Sequence, residues 1–196
     1  EVMFIALRRA AERGVSIGAH PGYADREGFG RRVIPMAPDE IARMVAAQVG
    51  ALQGVAALAG AVVRYVKPHG ALANLAADDA AVAAAIAGAV AQLPGRLAVL
   101  AISGTALEAA ARAAGLVVFS EVFADRAYLA NGRLMPRSRP GAVLHDPDLI
   151  AARMLRLATE GVIEAVDGSV LPLAAGSFHP GCLPVAQSPR FFPIST

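Results

Sequence analysis

Apolar positions along the chain fall into two patterns, one spaced like amphipathic helices and one continuous like buried strands. The helical spacing predicts helices over residues 1–13, 37–58, 78–93, 105–114 and 147–159. The continuous runs predict strands over residues 15–20, 62–66, 97–102 and 116–123. Strands that alternate with helices indicate parallel βαβ units, and strands without polar alternation indicate a sheet covered on both faces. A β/α barrel and an open doubly wound sheet both satisfy this pattern.

Polar and titratable residues collect where the predicted strands end, whereas the opposite strand ends carry only small or solvated residues. These polar positions are His20, Tyr23, Lys67, His69, Ser103, Thr105, Glu121, Asp125 and Arg126. In both candidate architectures the working face lies at the carboxyl ends of the strands. The asymmetry therefore predicts a functional site at this face.

Lys67 and His69 flank Pro68 in the stretch VKPHGALAN, directly after the second predicted strand. Proline has no backbone donor and tends to end strand pairing, so it lifts its two neighbours out of the ladder. His20 stands in a similar His-Pro-Gly turn after the first predicted strand. A lone histidine at a strand end is as often a structural hydrogen-bonding residue, but two in corresponding places favour function. For Lys67 a solvated side chain is the alternative.

Glu121 lies within an apolar strand and is costly to bury unless it is paired. Arg126 is a natural partner, so a structural ion pair stands beside a catalytic role. The loop YADREGFGRR contains Asp25, Arg26, Arg31 and Arg32 and is interpreted either as a phosphate- or carboxylate-binding loop or as a charged surface turn. It lacks the spacing of a phosphate-binding P-loop.

The amino-acid composition narrows the classes of protein to which the chain could belong. The 196-residue chain is 56% hydrophobic and 17% charged, which argues against disorder. A net charge of +2, scattered arginines and 5% aromatic residues argue against a nucleic-acid partner. The single cysteine, Cys182, excludes an internal disulfide framework and is compatible with the cytoplasm. No signal peptide opens the chain and its longest apolar run is short of a bilayer span, so we expect a soluble, cytoplasmic protein without a membrane partner.

Four segments together resemble the LamB/YcsF family: GVSIGAHPGYADREGFGRR, QVGALQ, VKPHGALAN and SEVFADRAYLANGRLMPRS. The resemblance covers residues 1–175 and implies one parallel β/α barrel domain of the glycoside hydrolase/deacetylase type. Residues 176–196 form an atypical proline-rich tail.

The resemblance also implies an activity, the ATP-dependent hydrolysis of the lactam 5-oxo-L-proline to L-glutamate by a hydrolase of cyclic amides. ATP, with or without Mg²⁺, is the implied cofactor, and separate B and C subunits are the implied partners. Phosphorylation of the amide oxygen would make the lactam carbon open to attack by water. Such a site needs cations for the phosphoryl group and the substrate carboxylate, and a general base for water, for which His69, His20 and Asp125 are the candidates.

The candidate residues follow from these needs. The proposed catalytic residues are His20, Lys67, His69 and Asp125. The proposed substrate-binding residues are Tyr23, Asp25, Arg31, Asn74, Glu121, Arg126, Tyr128 and Arg137. Lys67 with Arg126 or Arg137 would supply the cations. Asn74 and Tyr128 would orient the ring or stabilise the oxyanion.

The sequence departs from the family pattern in three places. Family motifs that would precede residue 1 are absent, Ala73 stands where the family has an aromatic residue, and the tail replaces a closing strand and helix. His179 and Cys182 are therefore not assigned family roles. We expect a barrel that is incomplete at both ends, with exposed sheet edges and dependence on a partner.

Two other interpretations stay open at this point. His20, His69 and Asp25 could form the metal set of a metal-dependent deacetylase. Alternatively, the chain could be a non-catalytic scaffold subunit. The sequence leaves open which subunit binds ATP and whether the chain forms a homo-oligomer.

Overall fold

The computed structural model of the chain describes residues 1–173 and the backbone of residues 177–179. These residues belong to two compact units, which are described separately. The first comprises residues 1–101 and 105–118, and the second comprises residues 102–104 and those from 119 onward. Apart from the backbone of residues 177–179, the predicted proline-rich tail lies outside the described residues, as do the side chains of His179 and Cys182.

The first unit alternates helices with parallel strands. Its elements are α1 (Val2–Glu12), β1 (Ile17–Ala19), α2 (Pro38–Leu58), β2 (Val63–Val66), α3 (Gly70–Asp78), α4 (Ala80–Gln92), β3 (Ala98–Ile102) and α5 (Ala106–Ala113). Strand β2 lies between β1 and β3 and is parallel to both, with Val66 aligned to Ala19 on one side and to Val99 on the other. The predicted parallel βαβ arrangement is confirmed.

Local sequence signals explain where the helices begin. Pro38 is at the start of α2, where its missing donor costs nothing, and the Glu40 carboxylate accepts a hydrogen bond from the Ala37 amide at 2.8 Å. Asp79 caps α4 by accepting from the amides of Ala81 and Val82. This cap separates α4 from α3, and the two helices are bent by 116°. The sequence pattern does not predict helix α3, because Gly70 signals only a turn.

The core of the first unit is built from the inner faces of its helices and from its strands. On α2, Ile41, Val45 and Val49 are fully buried at helical spacing, and Ile86 of α4 and Val99 of β3 are buried with them. Complete burial of each such side chain stabilises the fold by about 1.5–3 kcal/mol. This core holds the ends of β1 and β2, on which the candidate site is built.

Among the described residues, α2 is long and apolar enough by length and composition to cross a membrane, and α3 with α4 would pass only as one bent span. The buried positions of α2 all belong to the core just described. A core helix passes the same test, so this signal is weak.

The second unit contains β4 (Val118–Phe123), α6 (Pro147–Glu160), β5 (Val162–Glu164), β6 (Val170–Pro172) and β7 (Ser177–His179). Strands β4 and β7 are parallel, whereas β5 and β6 form an antiparallel hairpin that the sequence pattern does not predict. Asp146 caps the start of α6, and Gly161 ends it in the left-handed conformation. A small core forms around Val122, Tyr128 and Ile163.

Candidate functional site

The centre of the first unit's site is a contact between two histidines. His20 follows β1 directly, and His69 lies just beyond β2. The backbone pairing of these strands continues past their ends, because the Lys67 amide donates to Ala19 at 2.9 Å and the His69 amide donates to Pro21 at 2.8 Å. His20 Nε2 consequently lies 2.9 Å from His69 Nδ1, with the rings edge to face. The sequence analysis places the two histidines in similar turns after successive strands, and in the structure these turns bring the two rings into contact.

The outer nitrogen of each ring contacts a backbone carbonyl oxygen. His20 Nδ1 lies 2.6 Å from the Lys67 oxygen, and His69 Nε2 lies 2.7 Å from the Phe29 oxygen. All four ring nitrogens therefore have a polar neighbour within the first unit. We call His20 and His69 the histidine pair.

Glycines form the walls around His69. A Cβ atom on Gly22 would lie 3.1 Å from His69 Cβ, and one on Gly30 would lie 2.8 Å from His69 Cδ2. A Cβ atom on Gly70 would lie 2.5 Å from the carbonyl oxygen of Gly30. Gly30 and Gly70 also have positive φ angles, and so does Phe29 at 54°, which is unusual for a residue with a side chain. Loop and ring are packed against each other with little room for change.

Asp25 holds the loop after β1 together. Its carboxylate accepts from the Gly28 amide at 3.0 Å and forms an ion pair with the Arg32 guanidinium. The hydrogen bond from Arg32 lowers the pKa of Asp25 to about 2. Asp25 was predicted to bind substrate, but in the structure its carboxylate is engaged within the loop by Arg32, which the sequence analysis placed in the same candidate binding loop. Arg31 is exposed, with its guanidinium 5.4 Å from the centre of the Phe29 ring.

Gln48 of α2 fixes the turn after His20. Its side chain accepts from the Gly22 amide at 3.1 Å and donates to the Gly22 carbonyl oxygen at 2.8 Å. Sequence reasoning gave Gln48 no role. Gln48 is exposed, and the segment QVGALQ that begins with it, one of those that resemble the family, is the signal that could have identified it.

Two more predicted residues of the first unit have different environments. Tyr23 is 6% exposed, its hydroxyl has no hydrogen-bond partner among the described residues, and burial raises its pKa. Asn74 is exposed on α3, one turn beyond His69. The substrate-binding roles predicted for Tyr23 and Asn74 stay predictions.

The other predicted residues belong to the second unit. Glu121, Asp125 and Arg126 are buried in or just after β4. The guanidinium of Arg126 donates to the carbonyl oxygens of Ala142 and Met135, so it holds backbone within its own unit.

Tyr128 is fully buried and Arg137 is exposed. The Tyr128 hydroxyl accepts from the Phe123 amide at 3.0 Å, and burial raises its pKa to about 12. The roles predicted for these residues in binding substrate stay predictions.

A cavity of about 340 Å³ lies within the second unit, between α6, the β5–β6 hairpin and Tyr128. The Arg153 guanidinium stacks 5.3 Å from the Tyr128 ring centre and donates to the Arg126 carbonyl oxygen at 2.6 Å. Desolvation lowers the pKa of Arg153. Sequence reasoning did not identify Arg153, because it lies in an amphipathic helix like an ordinary surface arginine.

The geometry does not favour the metal-dependent interpretation. Among residues 1–173, no three histidine, cysteine, aspartate or glutamate side chains are grouped so that they could hold a metal ion. Asp25 pairs with Arg32, and the facing nitrogens of His20 and His69 contact each other.

Comparisons with known proteins agree with this fold. The sequence model of the LamB/YcsF family matches residues 1–180. The chain is 51% identical over 172 residues to the A subunit of 5-oxoprolinase from Gluconobacter oxydans (strain 621H), covering 88% of this chain and 68% of that protein. It is 45% identical over 193 residues to a 5-oxoprolinase A subunit from Agrobacterium fabrum (strain C58 / ATCC 33970), covering 96% and 76%.

A solved structure is also similar to this chain. The crystal structure of the lactam utilization protein from Thermus thermophilus has a TM-score of 0.81 and 43% identity, covering 90% of this chain and 71% of that one. The parallel strands with intervening helices agree with the predicted barrel-like α/β fold.

Proposed function

The chain belongs to the LamB/YcsF family, and from this premise we propose that it is the A subunit of an ATP-dependent 5-oxoprolinase. The reaction opens the ring amide of 5-oxo-L-proline. The C–N bond breaks, the oxygen of water goes to the carbonyl carbon, and the ring nitrogen becomes the amino group of glutamate. ATP is hydrolysed to ADP and phosphate, which makes the otherwise unfavourable ring opening proceed.

One observation carries the proposal: the histidine pair sits at the adjoining ends of β1 and β2, where an added Cβ atom on Gly30 or Gly22 would lie 2.8 or 3.1 Å from His69. A fixed pair of imidazoles at the carboxyl ends of parallel strands is placed where it can donate a proton to a small substrate. The relatives from Gluconobacter and Agrobacterium match this chain across most of its length.

The proposed roles of the other residues follow from charge. The Lys67 ammonium and the exposed Arg31 would bind the substrate carboxylate and the transferred phosphoryl group, which are both anionic. Asp125 remains the candidate base for water, since a carboxylate can accept its proton. Glu121, Arg126, Tyr128 and Arg137 remain proposed substrate-binding residues.

The proposal includes partners, because the relatives are A subunits and an A subunit implies that further subunits exist. We propose that B and C subunits complete the enzyme, that ATP with Mg²⁺ is used by the complex, and that the complex works in the cytoplasm.

The test is the release of glutamate from 5-oxoproline and ATP by this chain mixed with its B and C partners. The proposal predicts glutamate only when all three are present, and at least a hundredfold less with Lys67→Ala. His145→Gln, which changes an exposed residue of the second unit, is the matched control and should keep full activity. Glutamate release that does not depend on this chain, or that Lys67→Ala leaves unchanged, would overturn the proposal.

A further inference from the structure

The histidine pair is joined to two backbone oxygens that can only accept hydrogen bonds. The Lys67 oxygen lies 2.6 Å from His20 Nδ1, and the Phe29 oxygen lies 2.7 Å from His69 Nε2. Each of these contacts is a hydrogen bond only if the ring nitrogen carries a proton. The two outer contacts together therefore require two ring protons.

The contact between the two rings requires a third ring proton. His20 Nε2 and His69 Nδ1 are 2.9 Å apart, so one of them must donate to the other. Two neutral rings carry only two N–H protons. In one of the three contacts, two lone pairs would then face each other without a hydrogen bond. Two charged rings carry four N–H protons. His20 Nε2 and His69 Nδ1 would then both be donors, and their N–H groups would repel each other. Three protons satisfy all three contacts.

We propose that His20 and His69 act as one unit that holds three ring protons and a single positive charge at neutral pH. The extra proton lies between His20 Nε2 and His69 Nδ1. Neither ring then has a free lone pair with which to take a proton from water. The pair is instead a proton donor and a fixed positive charge.

The packing around His69 opposes other arrangements. Turning its ring over would replace both nitrogens by carbons at the Phe29 and His20 contacts. The ring is also confined by Gly22 and Gly30, whose missing side chains leave space for it and for little else. The left-handed φ of Phe29 places its carbonyl oxygen on His69 Nε2. A strained residue kept at such a place is typical of a built site.

The charged groups on the surrounding segments are Asp25, Arg26, Glu27, Arg31 and Arg32 of the loop and Lys67 after β2. Asp25 and Arg32 offset each other as an ion pair. The exposed Arg31 adds positive charge, which opposes the third proton through space, whereas the two carbonyl oxygens favour it by direct contact. An anionic ligand beside the pair would strengthen its hold on the proton.

Nitrogen NMR of the full chain with ¹⁵N-labelled histidine tests this inference without any assay of activity. A histidine free in solution has a pKa of about 6.5, so at pH 7.5 it is mostly neutral with one N–H. The proposal predicts three protonated ring nitrogens shared by His20 and His69 at that pH. His145→Gln removes the signal of a histidine in the second unit and so helps to assign the pair.

A second variant separates the pair from each ring alone. In His20→Gln the side-chain amide can donate to His69 Nδ1, so His69 should become neutral, with its one proton on Nε2. Two protonated nitrogens in the unaltered pair, or a His69 signal that His20→Gln leaves unchanged, would overturn the inference. Because the readout is spectroscopic, this result is independent of whether the chain hydrolyses 5-oxoproline.

Discussion

Gln48 and Gly22 exchange two hydrogen bonds although 26 residues separate them in the sequence. This link ties helix α2 to the turn that follows His20. This turn also positions His69, because the Pro21 carbonyl oxygen accepts a hydrogen bond from the His69 amide. The helix therefore supports the histidine pair through the backbone of this turn.

Gln48→Glu should weaken catalysis more than it weakens the fold. The new carboxylate cannot donate to the Gly22 carbonyl oxygen and is repelled by it, whereas each lost exposed hydrogen bond costs only about 0.5–1.5 kcal/mol of stability. We expect a fall of about tenfold in kcat/KM for glutamate release, which corresponds to about 1.4 kcal/mol. Gln53→Glu, which removes a hydrogen bond to the Pro94 carbonyl oxygen, is the control and should leave kcat/KM unchanged. Equal losses in both variants would contradict this role.

Gly30→Ala should disturb the histidine pair through a steric clash between the new side chain and the His69 ring. Its φ is 67° and the added Cβ atom would lie 2.8 Å from His69 Cδ2. Gly14→Ala is a matched control, since Gly14 has a φ of 64° but no neighbouring atom within 4 Å. Both variants should lose about 1–2 kcal/mol from backbone strain, as measured by urea unfolding. Only Gly30→Ala should also shift the His69 ring signals and lower activity.

The effect of Asp25→Asn on the free energy of unfolding should depend on pH, because the substitution removes the ion pair with Arg32. The folded state holds the pKa of Asp25 at about 2, below the value of about 3.9 in an unfolded chain. The stability from this pair is therefore present above about pH 4 and is lost as the pH falls toward about 2. The difference in unfolding free energy between the native chain and Asp25→Asn should be constant near neutrality and shrink across that window.

Glu27→Gln provides the comparison for this pH profile. Glu27 is also near Arg32, but its carboxylate is 3.7 Å away and its side chain is 91% exposed. We expect no measurable loss of stability, since exposed pairs of this kind contribute little. A pH profile for Glu27→Gln that matches that of Asp25→Asn would contradict the assignment.

Tyr128→Phe should destabilise the second unit. The variant removes the hydrogen bond that the Phe123 amide donates to the Tyr128 hydroxyl at a part-buried position, and such a bond contributes about 0.5–1.5 kcal/mol. Tyr23→Phe is the control, because the buried Tyr23 hydroxyl has no partner among the described residues and its removal should be neutral or stabilising. Thermal unfolding of the two variants gives the comparison directly.

Tyr128 should also make the stability of the folded chain depend on pH in the alkaline range. Its pKa is about 12 in the folded chain and about 10 in an unfolded one. Stability from the protonated hydroxyl is therefore complete below about pH 10 and is lost as the pH rises toward about 12. Tyr128→Phe should lack this contribution to alkaline unfolding.

Much of the first unit could be predicted from its sequence because its strands are continuous apolar runs and its helices carry clear start signals. The similar turns that hold His20 and His69 after successive strands could also be predicted, whereas the contact between the two rings is seen only in the structure. Helix α3 was missed because Gly70 signals a turn, and the chain uses that turn to begin a helix. Asp79 then caps α4 close to where the sequence pattern predicts a helix to begin.

The partners of the site residues were harder to predict. The oxygen that contacts His69 belongs to the backbone of Phe29, and a sequence gives no sign of which carbonyl a loop will present. Asp25 and Arg126 are charged groups at the expected face, yet much of their bonding is to their own loops. Which charged residues serve substrate and which serve the fold depends on local backbone geometry that residue type does not reveal.

The central claim is that the histidine pair at the ends of β1 and β2 is the working part of this chain. The most direct measurement is kcat/KM for ATP-dependent glutamate release by the complex with the B and C subunits, comparing His69→Ala with the native chain. With the fold retained, as judged by circular dichroism and unfolding, the account predicts a loss of at least a hundredfold. Activity within threefold of the native chain would show that the chemistry takes place elsewhere.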